Sequence, residues 1–176
     1  MPTSKYKGKE LIVSWIKEHT DIHRVLDVGC GEGTYPLLLK EKFPVLTNAE
    51  WWGIEVWTDY IERYNLNSLY DHILNQDARE LDWGQLPEFD LVIFGDVLEH
   101  MTKEQSQALV DRALTKAKYV VISIPIHHCP QGAWGGNPYE IHVKDDWTHE
   151  EVMESFPGIK HFLKKTKTIG VYWIEK

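Results

Sequence analysis

The segment Arg24-Val25-Leu26-Asp27-Val28-Gly29-Cys30-Gly31-Glu32-Gly33-Thr34 carries the most information in this chain. Apolar residues run into a carboxylate, and glycines then fall on alternate positions, Gly29, Gly31 and Gly33. A helix-like stretch follows, Tyr35 to Lys42. Glycines let a backbone turn sharply and approach a ligand closely. A second carboxylate, Glu55, ends the next apolar run, Trp52-Gly53-Ile54. That pairing describes a pocket for a nucleoside whose ribose hydroxyls need a hydrogen-bond acceptor.

The flanking sequence repeats the strand-then-helix theme. Leu11-Ile12-Val13 with Trp15-Ile16 predicts a short amphipathic helix, about Gly8 to His19. Strands are expected over about His23–Val28, Trp51–Glu55, Tyr70–Leu74, Phe89–Phe94 and Tyr119–Ile124. Phe89–Phe94 is apolar at most positions, as a strand buried on both faces should be. Helices are expected around Tyr60, Ile61 and Tyr64, and over Lys103–Ala117, where Ala108, Leu109, Ala113 and Leu114 fall at helical spacing. Thr148 reads as an N-cap, with Glu151 at capping-box spacing, opening a helix to Phe156. Two short strands are expected in the tail, about Lys160–Leu163 and Thr168–Ile174. Strands alternating with helices indicate α/β architecture: a doubly wound, mostly parallel sheet. Lys164, Lys165 and Lys167 read as guards of an exposed edge rather than a nucleic-acid patch.

With 176 residues, the chain is expected to form a single domain, 1–176. A formal charge of -8 argues against generic nucleic-acid binding. Cys30 and Cys129 make no disulfide framework, so a reducing, cytoplasmic setting is expected. No apolar run reaches transmembrane length, and Met1 to Glu10 lacks a signal-peptide core.

The glycine spacing separates two nucleoside classes. Dinucleotide enzymes usually show G-x-G-x-x-G, which seats a pyrophosphate. Here the pattern is Asp27-x-Gly29-x-Gly31-x-Gly33, and Asp27 would repel a pyrophosphate. This resembles motif I of the class I S-adenosylmethionine (SAM) methyltransferases, of the small single-domain bacterial or phage type. SAM carries an ammonium and a sulfonium, so a carboxylate beside the loop suits it. The likeness spans nearly the whole chain. It implies a seven-stranded sheet ending in an antiparallel hairpin, with SAM as cofactor and S-adenosylhomocysteine (SAH) as product.

The resemblance also implies roles. Asp27 would serve the methionine ammonium, directly or through water. Gly29, Cys30 and Gly31 would lie against the ligand. Glu55 would accept both ribose hydroxyls, and Val56 would line the adenine face. Asp77 would accept the adenine amine, with the Ala78 amide meeting a ring nitrogen. Phe94, Gly95 and Asp96, in a segment running to His100, resemble the fourth family motif and would flank the methionine portion. Cys30 itself reads as packing rather than as a nucleophile.

The acceptor side is less determined. Methyl transfer from a sulfonium is a direct displacement that needs alignment and sometimes a base. Candidates are His100 after the fourth strand, His127 and His128 after the fifth, and His142 further on. The long segment 125–147 reads as a substrate loop, with Trp134, Tyr139 and His142 as substrate-binding candidates. Its Gly-Asn-x-Tyr-Glu-x-His run is similar to stretches in bacterial and phage members. A metal set of His127, His128, Cys129 and His142 matches no established zinc spacing, and no metal is expected. The chain is therefore expected to methylate an oxygen or nitrogen of a small molecule or glycan. The alternatives are a SAM-binding module without catalysis and a nicotinamide-dependent oxidoreductase. The sequence gives no oligomeric state.

Overall fold

The computed structural model describes residues 8–163 and 168–176. Strands β1 (Arg24–Val28), β2 (Glu50–Ile54), β3 (His72–Leu74), β4 (Phe89–Gly95), β5 (Ala117–Pro125), β6 (Ile159–Leu163) and β7 (Ile169–Glu175) form one sheet. Its order is β3-β2-β1-β4-β5-β7-β6. The strands from β3 through β5 are parallel, while β7 runs antiparallel to both β5 and β6. This is the seven-stranded, mostly parallel sheet with a terminal hairpin that the sequence predicts.

Helices α1 (Lys9–Glu18), α2 (Thr34–Pro36), α3 (Thr58–Arg63), α4 (Lys103–Lys116) and α5 (His149–Ser155) accompany the sheet. Two apolar cores result. One joins α1, the Leu38–Leu39 pair, Trp51 and Trp173. The other joins α4, α5, Phe89, Trp147 and Tyr172. Valine and isoleucine of β4 and β5 alternate between them, Ile93 and Val121 in the first, Val92 and Val120 in the second. Burial on both faces explains why these strands read as unbroken apolar runs.

Several boundaries differ from the sequence reading. Glu55 lies one residue beyond β2 instead of closing it. The Tyr35–Lys42 helix begins as α2 and widens into a π-helical stretch, Leu37–Lys42. The wider turn reduces the angle between successive residues, so adjacent Leu38 and Leu39 are both buried. Helix α4 stops at Lys116 because Ala117 already has extended geometry (φ -128°, ψ 151°) and pairs with Phe89 as the first residue of β5. No connector separates helix from strand. Thr102 caps α4 with both arms of a capping box, its partner being Gln105. Thr148 caps α5 by accepting from the Glu151 amide, while the Glu151 carboxylate pairs with Lys103 and Lys144. Lys164, Lys165 and Lys167 lie outside the described residues.

Candidate functional site

The chain leaves β1 for β2 on one side and returns to β4 on the other. Beyond the carboxyl ends of these strands such a switch point opens a crevice. A cleft of about 910 Å³ lies there, walled by Gly29, Cys30, Gly31, Glu55, Val56 and Asp77 among others. Gly29 has φ 71°, and a Cβ there would stand 2.6 Å from Val97 Cγ2. Both facts restrict the position to glycine. The Gly29 and Cys30 amides donate to the Ile54 carbonyl at 2.9 and 3.1 Å, tying the loop to the end of β2.

Glu55 is 5% exposed. Its Oε2 accepts from the Gly31 amide at 2.9 Å and its Oε1 from the Trp57 amide at 2.8 Å. Each carboxylate oxygen still has a lone pair for another donor. Burial pushes its pKa up to about 7, against the pull of those two amides. Asp77 caps the turn after β3, accepting from the Arg79 amide at 2.9 Å and from the Arg79 guanidinium. Those bonds hold the Asp77 carboxyl below its ordinary range. Ala78 follows on the wall, and its carbonyl accepts from Trp83 Nε1 at 3.0 Å.

At the end of β4, Gly95 admits the Tyr35 ring, whose Cε2 would lie 2.1 Å from an added Cβ. Asp96 has φ 56°, unusual outside glycine. Its amide donates to the Ser123 carbonyl at 2.7 Å, and its Oδ1 accepts from Ser123 Oγ at 3.1 Å. Gly95 and Asp96 both line the cleft, whereas Phe94 is fully buried in the core. Asp27 is not part of the wall. It sits 1% exposed behind the glycine loop, and Tyr70 Oη donates to its Oδ2 at 2.7 Å. Burial raises the Asp27 pKa to about 7, while Tyr70 and Lys9 pull it down. The Cys30 thiol donates to carbonyls of Ile54 and Asp27, and burial pushes its pKa well above the usual thiol range. That is a packing cysteine, not a nucleophile.

The loop 125–147 folds back over the cleft. Its tip is a tight turn, with the Asn137 amide donating to the Trp134 carbonyl at 2.9 Å. Gly135 and Gly136 supply the positive φ of 57° and 82° that a type I′ turn requires at both central residues. Asn137, Tyr139 and Glu140 line the cleft, and Tyr60 Oη donates to Glu140 Oε1 at 3.1 Å. The Trp134 side chain is half exposed, and the Tyr139 ring lies 6.3 Å from that of Trp57.

The four candidate histidines separate into two pairs. His127 Nδ1 bonds the Thr168 carbonyl at 2.9 Å, away from the cleft. His128 is exposed, with Nδ1 3.9 Å from Asp145. His100 lines the cleft, and the His142 ring packs edge-on against it, centroids 4.9 Å apart. Burial lowers both pKa values, and the His142 neighbour lowers that of His100 further. Ligand atoms of Glu99, His100 and His142 all lie within 4.8 Å of one another. The set of His127, His128, Cys129 and His142, which the sequence reading weighed and set aside, is not among the clusters that come together in the described residues.

Sequence reasoning missed several wall residues: Tyr60, Arg79, Met101 and Asn137. It also missed Lys9, which is fully buried with Nζ 3.8 Å from Asp96 Oδ2 and 5.1 Å from the Tyr35 ring centroid. No local pattern marks these residues: the four wall residues reach the cleft from separate elements, and Lys9 is buried behind it.

The strand order, the glycine loop and the buried carboxylate just beyond β2 are those of an α/β fold with its cleft at the switch point. Residues 25–118 match the family model described as "Methyltransferase domain", and the chain belongs to that family. It is a SAM-dependent methyltransferase, and SAM is its cofactor. No curated protein sequence matches it. Its fold is shared with a candidate O-methyltransferase from Nostoc punctiforme PCC 73102 (20% identity, TM-score 0.66), covering 93% of this chain but 55% of that one. The SAH-bound N-terminal domain of EvdMO1 is similar at 14% identity and TM-score 0.70, with 98% of this chain and 82% of that chain covered. SAM-bound magnesium protoporphyrin IX methyltransferase from Synechocystis PCC 6803 is similar at 16% identity and TM-score 0.65, with 95% and 77% covered. Among the described residues no helix is long and apolar enough to cross a membrane.

Proposed function

We propose that this chain, acting as one domain over residues 1–176, methylates an oxygen or nitrogen of a small-molecule or glycan acceptor. One observation carries the reading: a single cleft is lined both by strand-end residues and by His100, Asn137, Tyr139 and Glu140. One space thus offers groups for both cofactor and acceptor, as a direct displacement requires. The acids Glu55, Asp96 and Glu140 lining that cleft suit a cofactor carrying a sulfonium and an ammonium.

In this reading Glu55 accepts the ribose hydroxyls and Val56 packs on the adenine face. Asp77 and the Ala78 amide hold the adenine edge, and Asp77 shares its carboxylate between the ligand and Arg79. Gly29, Cys30 and Gly31 lie beneath the cofactor, with Gly95 and Asp96 beside its methionine portion. Asp27 acts from behind the loop by fixing its position through Tyr70. Trp134, Tyr139 and His142 supply the acceptor side, as does His100. The neighbouring proteins support the acceptor class only by kind: EvdMO1 was crystallised in the presence of D-fucose, and the Synechocystis enzyme is named for a porphyrin.

Radiolabelled SAM incubated with the protein and fractionated acceptor pools tests the proposal. Label in hydroxylated or amino small molecules, or in free glycans, is the expected result. Label only in protein or nucleic acid would overturn the acceptor class. SAM binding with no transfer in any pool would favour a binding module.

A further inference from the structure

We propose that Glu99, His100 and His142 form a binding site for one divalent first-row transition-metal ion at the acceptor end of the cleft. The three side chains come from segments that the fold laces together. Glu99 and His100 sit on the one-turn helix Leu98–His100 that follows β4. His142 comes from the long loop, and the next two amides, Val143 and Lys144, both donate to the Glu99 carbonyl at 2.9 and 3.0 Å. The His142 amide is held in turn by the Gln131 carbonyl at 3.0 Å.

The imidazoles are oriented as ligands. His100 Nδ1 bonds the Ile141 carbonyl at 3.2 Å, and His142 Nδ1 bonds the Cys129 carbonyl at 2.5 Å. A carbonyl oxygen can only accept, so each Nδ1 carries the proton. Each Nε2 is then left with a lone pair. An imidazole whose far nitrogen is anchored to a backbone carbonyl is the arrangement metal-binding histidines adopt. The third member supplies the independent sign. Glu99 is 2% exposed, and its Oε2 is buried with no hydrogen-bond partner. A buried, unpartnered carboxylate oxygen is costly unless something cationic meets it. Asp96 and Glu140 are also close enough to act on Glu99, and the buried cation Lys9 faces Glu99 and Asp96 without meeting Glu99 Oε2.

Two imidazoles and one carboxylate suit manganese, iron, cobalt or zinc better than calcium. Three protein ligands leave coordination positions open, and His100 lies on the cleft wall. Through His100 an open position borders the acceptor space, where it fits an oxygen of the acceptor. This last step rests on the methyl-transfer reading; the metal site itself does not. It would confine the acceptor to molecules presenting a hydroxyl or carboxylate oxygen as a ligand.

The test uses the full chain stripped of metal with a chelator. Titration with Mn²⁺, followed by loss of the free-ion electron paramagnetic resonance signal, should show one tight equivalent. Pulsed resonance on the wild-type complex should show coupling to two imidazole nitrogens. Glu99→Gln and His142→Ala should each weaken Mn²⁺ binding at least tenfold, with folding checked by circular dichroism. Absence of a tight equivalent, or a bound ion without nitrogen coupling, would overturn the proposal, and so would undiminished affinity in both variants. SAM binding is measured calorimetrically on the same stripped protein. If SAM binds while Mn²⁺ does not, the metal proposal alone fails.

Discussion

Glu55 is where a single carboxylate has the largest consequence. It is already bound to the Gly31 and Trp57 amides, so the variant Glu55→Ala loses both the ribose acceptor and a clasp on the glycine loop. We expect SAM affinity to fall by about 1.5–3 kcal/mol, the scale of hydrogen bonds to a charged group. Calorimetry measures this, and an unchanged dissociation constant would place the ribose elsewhere. The same residue sets a pH dependence. Its pKa is about 7 in the free protein, and ribose hydroxyls donate to the ionised form. Lowering the pH from 8 to 6 should therefore weaken SAM binding about tenfold, with proton release on binding near pH 7. Glu140 acts on Glu55 in the raising direction, and the two amides oppose it. A flat affinity between pH 6 and 8 would show that Glu55 does not titrate against the cofactor.

Among the elements, the loop 125–147 has the clearest test. Trp134 is half exposed and Tyr139 lines the cleft, so neither is central to a core. Trp134→Ala and Tyr139→Ala should leave the melting temperature within a few degrees and SAM affinity nearly unchanged. Turnover with an identified acceptor should drop, seen chiefly in KM. A large loss of melting temperature with normal turnover in the folded fraction would make the loop a packing element instead. The elements were mostly legible in the sequence, because each rests on a local signal. Apolar runs gave β4 and β5, and the Thr148 cap gave α5. The direct junction of α4 and β5 was not legible, since Ala117 suits a helix by propensity and enters the strand only by pairing with Phe89. The site divides along the same line. Gly29, Gly31 and Glu55 follow a local motif and stand on one wall. The grouping of Glu99, His100 and His142, and the bond from Tyr60 to Glu140, join residues from distant segments. No periodicity announces such contacts. Asp27 was legible as a motif residue, but its position behind the wall was not.

At the scale of the whole molecule, several carboxyls are buried in or behind one cleft, Asp27 and Glu55 among them. Asp27 and Glu55 both have folded pKa values of about 7, above their ordinary values of 3.8 and 4.5. A raised carboxyl favours the folded state while protonated. Its contribution is complete below the unfolded value and is lost as pH rises through about 7. Lys9 and Tyr70 face Asp27 and moderate its shift without cancelling it. The free protein should therefore melt at a lower temperature at pH 8 than at pH 5.5. SAM should raise the melting temperature by linkage, and by more at pH 8. Differential scanning fluorimetry across that range checks both. A melting temperature that climbs from pH 5.5 to 8 without ligand would contradict the assignment.

The position of β7 has a consequence for biosynthesis. This strand is late in the sequence yet interior in the sheet, hydrogen-bonded to β5 on one side and β6 on the other. Until residues 169–175 have left the ribosome, the apolar edge of β5 has no neighbour and β6 has nothing to join. A nascent chain would thus carry a finished cofactor wall beside an open, sticky border until β7 emerges. Such borders recruit other strands. Dependence on a holding chaperone should accordingly be concentrated in the interval before β7 emerges, and slow codons placed there would lengthen the exposure.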